Sequence, residues 1–338
     1  MFQFIFSKNI LLTYLLVSLA FPARANDQKS QVDRTQTLSI ENQAHFVDLV
    51  PELSGLAVTT HFTNSEKLQT FKDQDHRLIW GHNDSGHQAE IFGFETSGQI
   101  RVILELPIKA LDIEDIAAKT CPWSLTKQCL WLADVGDNKH QRQSVSLHVL
   151  PLPNFDWLVS EHILRLKIDR SQISSYRFTY PNRKRPNVEA LAVSPNGKQV
   201  WLFEKTDAVQ VHFWSLTIPS SSLGTIQKID KIQEYSLDVS HWASHSQSLR
   251  QRRITGASLD QSGKRLLLRT YRDVWLFESP KTKRMTAKVI QQQKPKHINF
   301  TAHELQGEAI CFDLDHQGFW TGSEQRDGQQ AKLHHTQF

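Results

Sequence analysis

Five stretches of the 338-residue chain carry an oxygen-bearing side chain at the same point of a repeated heptapeptide: Glu52–Val58, Asp112–Ala118, Asn187–Val193, Arg253–Leu259 and Gln306–Phe312. The repeated position holds Ser54, Glu114, Glu189, Thr255 and Glu308. Brought to one place, these would form a donor set made only of oxygen. Three glutamates on a narrow axis cannot all ionise unless positive charge joins them. Two readings supply that charge. A divalent cation is one, and an all-oxygen set with three carboxylates favours calcium over zinc or copper. Neutralisation by Lys205 and Arg269, with no metal, is the other.

A second group is expected to form a charged ring above the first, at the same mouth. Asp84, Asp134, Lys205, Arg269 and Glu324 each follow the second apolar run of their repeat, so every repeat offers one ionisable group there. In a hydrolytic reading, Lys205 and Arg269 stabilise developing negative charge. Asp84, Asp134 or Glu324 acts as general base. Basic runs at Arg183, Lys184 and Arg185 and at Arg250, Arg252 and Arg253 precede two of the heptapeptides. They would place a positive rim beside the acids and attract a small anionic ligand or substrate.

The elements that position these groups follow from the spacing. The heptapeptides recur at intervals of about 50 to 75 residues, and each continues as an apolar run typical of a buried strand. Several strands per unit at that period point to an all-β fold, a five-bladed β-propeller with the heptapeptides as inner strands. The segment 37–50 has no heptapeptide before it and reads as the outer strand of the last blade, which closes the ring and removes exposed edges. Tight turns at Ser194–Gly197, Gln261–Gly263 and Asp315–Gly318 link inner to second strands in blades three, four and five. The alternatives are a six-bladed ring, with a degenerate unit in 220–250, although that segment lacks the heptapeptide, and a β-sandwich.

Composition limits the function classes. Nine Trp and eighteen Phe provide for a sheet-rich core, and a formal charge of +4 gives no support for nucleic-acid binding. Residues 1–25 read as a signal peptide, with Lys8, an apolar core from Ile10 to Phe21, and Ala23-Arg24-Ala25 before the cleavage point. Residues 26–36 read as a flexible polar segment and 37–338 as the single propeller domain. The mature chain is then expected in the periplasm or secreted, as a monomer with no membrane span. An oxidising compartment favours a disulfide between Cys121 and Cys129, while Cys311 falls in an inner strand as a buried thiol. The histidines form no paired zinc motif, and no nucleophile elbow or phosphate-cradling glycine loop is present. Asp134-Val135-Gly136-Asp137-Asn138 has the acids of a calcium loop without its closing Glu and reads as a hairpin turn.

The stretches 80–86, Asp112–Ala117, Ala133–Asn138, Glu189–Leu191, Leu268–Tyr271 and Gln306–Ile310 together resemble a widespread family of exported bacterial propeller proteins. That resemblance implies the fold and export, and no activity. The ring order Ser54, Glu114, Glu189, Thr255, Glu308 is similar to the central calcium site of the calcium-dependent nucleotidases, the soluble apyrases. Those are five-bladed propellers whose ring reads Ser, Glu, Glu, Ser, Glu; here Thr255 keeps the hydroxyl of the second Ser. The resemblance is confined to the ring, so it implies calcium and not a nucleotide substrate. The functional expectation is a calcium-dependent hydrolase of phosphate esters or other small anionic esters. The rivals are a non-catalytic ligand- or partner-binding propeller with structural calcium, and a lactonase-like site.

Overall fold

The computed structural model describes residues 35–37, 49–60, 77–155, 162–242, 248–300, 304, 306–326 and 331–338. Residues 1–25, expected to be a signal peptide, and all but the last two residues of the segment 26–36 lie outside them, as do 38–48.

The strands run in chain order from β1 (Thr35–Thr37). Blade one comprises β2 (Leu53–Thr60), β3 (Arg77–Asn83), β4 (Glu90–Phe94) and β5 (Ile100–Glu105). Blade two holds β6 (Ile113–Thr120), β7 (Gln128–Asp134) and β8 (Val145–Pro151), then, after β9 (Leu164–Lys167), β10 (Ser174–Phe178). Blade three has β11 (Val188–Val193), β12 (Gln199–Glu204) and β13 (Gln210–Thr217), then, after β14 (Ile226–Lys228), β15 (Ile232–Asp238). Blade four is β16 (Ile254–Leu259), β17 (Arg265–Thr270), β18 (Val274–Glu278) and β19 (Lys296–Ile298), with a short helix α1 (Ala287–Gln292) before the last strand. Blade five is β20 (Gly307–Phe312), β21 (Gly318–Ser323) and β22 (Lys332–Gln337), completed by β1.

The inner strands touch in a closed circuit: β2 with β6, β6 with β11, β11 with β16, β16 with β20, and β20 with β2. This is a five-bladed β-propeller, as the heptapeptide repeat requires. The inner strands are buried almost throughout, because each faces a neighbouring blade on both sides. Apolar cores fill the spaces between blades. Trp131, Tyr176 and Trp214 sit between blades two and three, and Trp201, Trp242 and Trp275 between three and four. Leu53, Phe92 and Trp320 join blades five and one.

The N-terminal closing strand is present, antiparallel to β22, with Thr35 opposite Thr336 and Thr37 opposite His334. It lies at 35–37, at the edge of the segment expected for it. The segment 220–250 forms no sixth blade: β14 runs parallel to β10 at the edge of blade two, and β15 completes blade three. Likewise β9, inside the insertion of blade two, runs parallel to β5 and widens blade one. Both extra strands cover outer edges whose backbone groups would otherwise be unpaired. At three and four residues, with alternating exposure, they carry no apolar run that a sequence reading could find.

Cys121 and Cys129 are disulfide-bonded and tie the end of β6 to the start of β7; Cys311 is a buried free thiol. The turns after β11 and β16 place Gly197 (φ 63°) and Gly263 (φ 71°) in the left-handed region, and His316 (φ 57°) takes the same role after β20. Among the described residues, no helix is long and apolar enough to cross a membrane.

Candidate functional site

Every inner strand breaks register with its partner at one place. The pairing skips Glu114 between Ile113 and Asp115, Glu189 between Val188 and Ala190, Thr255 between Ile254 and Gly256, and Glu308 between Gly307 and Ala309. In blade one the extra residue falls at Ser54–Gly55, between Leu53 and Leu56. Five β-bulges thus coincide with the five oxygen positions of the repeat. A bulge bends the strand and re-aims the side chain it carries. Here it acts at the start of each inner strand, at one mouth of the propeller.

The five ring residues are all buried, and the structure divides them. The Ser54 hydroxyl donates to the Glu114 carbonyl of the next blade at 2.7 Å, and the Thr255 hydroxyl donates to the Gly307 carbonyl at 2.7 Å. These two residues tie adjacent inner strands together. Glu114 joins Asp84 and Asp112, whose ligand-capable oxygens all lie within 4.8 Å of one another. Glu189 and Glu308 instead share Lys205, whose ammonium lies 2.9 Å from Glu189 Oε2 and 3.8 Å from Glu308 Oε1.

The Asp84–Asp112–Glu114 group could hold a metal ion. Glu114 is 1% exposed, and its Oε1 has no hydrogen-bond partner among the described residues; nor has Asp112 Oδ1. Burial, reinforced by Glu189, Asp84 and Asp112, pushes the Glu114 carboxyl well above the usual range. Burial and the charge of Asp84 lift Asp112 to about 6. Gly136 stands against this group: a Cβ there would lie 1.9 Å from Glu114 Oε1 and 2.5 Å from Asp112 Cγ. Only a residue without a side chain leaves room for the acids.

On the other side, Lys205 is held well above its ordinary pKa, since Glu308 and Glu189 outweigh its burial. It also lies over the Tyr271 ring, 5.2 Å from the centroid. Asn187 donates to Glu189 Oε1 at 2.7 Å, and Gln306 donates to Glu308 Oε1 at 3.1 Å and to Glu324. Burial and the charge of Asp84 raise Glu324 to about 7. The mouth therefore gathers Asp84, Asp112, Glu114, Glu189, Glu308 and Glu324 around a single ammonium, Lys205, among the described residues. Such an excess of buried and half-buried acid favours either protonation or a bound cation.

Asp134 and Arg269 do not join this group. Asp134 accepts from the amides of Leu111 and Asp112 at 3.2 and 3.0 Å and pairs with Arg142 at 2.9 Å. Although burial opposes it, His148 and Arg142 hold its carboxyl below the usual range. Arg269 is fully buried and pairs with Glu304, which also accepts from Thr321 at 2.9 Å and bonds His334 Nδ1 at 2.7 Å. The register explains the difference. The amides of Asp84, Lys205 and Glu324 close the mouth by donating to the carbonyls of Glu52, Asn187 and Gln306. In blade two that bond comes from Gly136, to Asp112, two residues beyond Asp134. In blade four Thr270 pairs with Ile254, so Tyr271 follows at the level of Lys205, and Arg269 lies two residues deeper. Counting from the apolar run therefore places Asp84, Lys205 and Glu324 at the mouth and overlooks Gly136, Tyr271 and Asp112.

A cavity of about 780 Å³ lies elsewhere, between blades three and four around Trp201, Tyr235 and Met285 beside the turns at Gly197 and Gly263. That is the face opposite the acids.

No protein-family model and no curated protein matches the sequence. Among solved structures, the chain is similar to a gluconolactonase, XC5397 from Xanthomonas campestris, at 13% identity and a TM-score of 0.40, over 86% of this chain and 88% of that one. It is also similar to the WD40 repeats of RRP9, at 10% identity and a TM-score of 0.36, over 84% of this chain and 67% of that one.

Proposed function

We propose that this chain is an exported, calcium-dependent hydrolase of small anionic esters, working at the acidic mouth of the propeller. The observation that carries the reading is Glu114: a buried carboxylate with an unpartnered oxygen, grouped with Asp84 and Asp112 opposite a glycine that leaves them room. The donors are all oxygen, which suits a hard cation that takes about 6–8 oxygens at roughly 2.3–2.6 Å. The ring order Ser, Glu, Glu, Thr, Glu, similar to that of the soluble apyrases, supports calcium as that cation.

Asp84, Asp112 and Glu114 would hold the ion, with Glu189 and Glu308 facing it across Lys205. When bound, calcium would polarise a phosphoryl or carbonyl oxygen of the ester. Glu324, lifted by burial to about 7, is poised to take a proton from the attacking water. The Lys205 ammonium faces the negative charge that develops on the ester. That proton would pass from Glu324 to the departing alkoxide, so ester and water leave as acid and alcohol. Asp134 and Arg269, committed to Arg142 and Glu304, shape the site without reacting.

One observation favours a second reading. Lys205 already neutralises Glu189 and Glu308, so calcium could be structural and the mouth could hold a ligand without turnover. Calorimetric titration of calcium into protein stripped on a chelating resin, followed by a panel of phosphate esters and lactones, separates the two. Calcium binding with ester turnover supports the hydrolase, and calcium stabilisation without turnover of any ester leaves the binding protein. No calcium binding at all sinks both. Glu114→Gln is expected to weaken calcium at least about tenfold, the loss of one charged ligand. Gly136→Ala should do the same by displacing Glu114 and Asp112.

A further inference from the structure

We infer that the loops beside the mouth form a second site, independent of metal, that takes the phosphoryl group of a phosphate monoester. A cavity of about 400 Å³ opens between the loop joining β7 to β8 and the connection from β10 to β11. Its walls include Arg142, Thr179, Tyr180, Arg183, Lys184 and Arg185, and no carboxylate lines it. Four cations thus surround a concave space on the face that carries the acids.

Two of the four are committed. Lys184 pairs with Glu234 at 2.5 Å, and Arg142 pairs with Asp134 at 2.9 Å and donates to the Gly136 carbonyl at 2.8 Å. The other two have charge to offer. Among the described residues Arg183 has no ion-pair partner, and the Arg185 side chain makes one long bond, 3.5 Å, to the His140 carbonyl.

The feature that points to a ligand is Tyr180. It is 6% exposed, and its ring packs on Trp214 and Phe178 with centroids 4.7 and 5.4 Å away. Tyr180 lines this basic pocket, and its hydroxyl, buried behind the cavity surface, has no hydrogen-bond partner among the described residues; neither has Arg142 Nε. Buried donors without acceptors are rare in native proteins and call for a specific reason. An oxyanion in the pocket would supply acceptors for both after a small shift of the ring and the guanidinium toward it. The backbone agrees: Asn182 (φ 57°) and Arg183 (φ 54°) are consecutive left-handed residues, and strain of this kind gathers at ligand clamps.

The donor inventory favours phosphoryl over carboxylate. Two guanidinium forks, a phenol and Arg142 Nε–H exceed what two carboxylate oxygens accept, and they match three terminal oxygens carrying a dianion. The cavity exceeds the volume of a phosphate, which leaves space for the rest of a small ester. None of these side chains belongs to the acid group, so the assignment does not rest on the calcium reading.

The test is calorimetric titration of inorganic phosphate into the mature chain, in buffer freed of divalent cations on a chelating resin, with acetate as the carboxylate control. Phosphate is expected to bind and acetate to bind at least about tenfold more weakly, given the lost charge and acceptor. Arg183→Gly keeps the left-handed backbone while removing the guanidinium, and should weaken phosphate about tenfold or more; Arg185→Gln should act similarly. Tyr180→Phe guards against misfolding, since it removes only the orphan hydroxyl. It should lower affinity about threefold or more while leaving the melting temperature equal or higher. No phosphate heat in the parent chain, unchanged affinity in these variants, or acetate equal to phosphate would each overturn the assignment. Calcium and phosphate are titrated separately, so either reading can fail alone.

Discussion

Glu324 and Lys205 show how the mouth depends on single residues. The Glu324 carboxyl, half-buried and under the negative charge of Asp84, is raised to about 7 in the fold, against an ordinary value near 4.5. A folded-state pKa above the unfolded one means that the fold binds the proton more tightly. The stabilisation is therefore complete below the unfolded value and is lost as pH rises through the folded one. Metal-free protein is expected to lose thermal stability between about pH 5 and pH 7. Glu324→Gln should flatten that decline, and calcium should reverse it. A melting series across this range, with and without calcium, checks all three; a flat metal-free profile would refute the assignment. Asp112 belongs to the same acid group but sits where the other repeats carry Glu52, Asn187, Arg253 and Gln306. No shared chemistry marks that position, so its role is not legible in the repeat.

At the scale of the element, the bulged inner strand does two things at once. It turns the oxygen side chain toward the mouth, and the residue after it packs against the neighbouring inner strand, as Gly55 does on Asp115 and Gly256 on Glu308. That residue is Gly55, Asp115, Ala190, Gly256 or Ala309, small in every blade except the second. Asp115 fills the space the others leave. Its fully buried carboxylate accepts from the amides of Ile116 at 2.8 Å, Leu191 at 2.7 Å and Ala257 at 3.3 Å, which belong to blades two, three and four. A Cβ on Gly55 would approach Asp115 Oδ1 to 2.7 Å, so blade one packs against the same group. Asp115→Ala should strand three buried amides and cost at least about 3 kcal/mol in urea unfolding. Asp115→Asn keeps one acceptor oxygen and should cost less. Equal stability of the parent and the Ala variant would show that the amides find other partners.

For the whole molecule, stability depends on closing the ring. Blade five is completed by β1, which pairs along β22 and covers the final edge. A chain beginning at Leu38 would leave the outer edge of β22 unpaired, with its amides and carbonyls there open to another chain. Such a truncation should melt at a lower temperature and associate as concentration rises, measurable by light scattering. A monomer as stable as the parent would mean that closure at β1 is dispensable. The same need for covered edges accounts for β9 and β14, which reach back from one blade to the edge of the blade before it.

The heptapeptide alone determined the architecture, because a buried inner strand demands an apolar run and a propeller repeats that demand once per blade. It also identified the oxygen ring, since one bulge position serves all five blades. Only tertiary structure decided how the ring is shared: Glu114 with two aspartates, Glu189 and Glu308 with Lys205, and Ser54 and Thr255 with neighbouring carbonyls. Side-chain direction in a strand reverses at every residue, so the extra residue in blade two and the place of Tyr271 in blade four change which groups face the axis. That register is set by contacts between blades distant in the chain, and no local pattern records it.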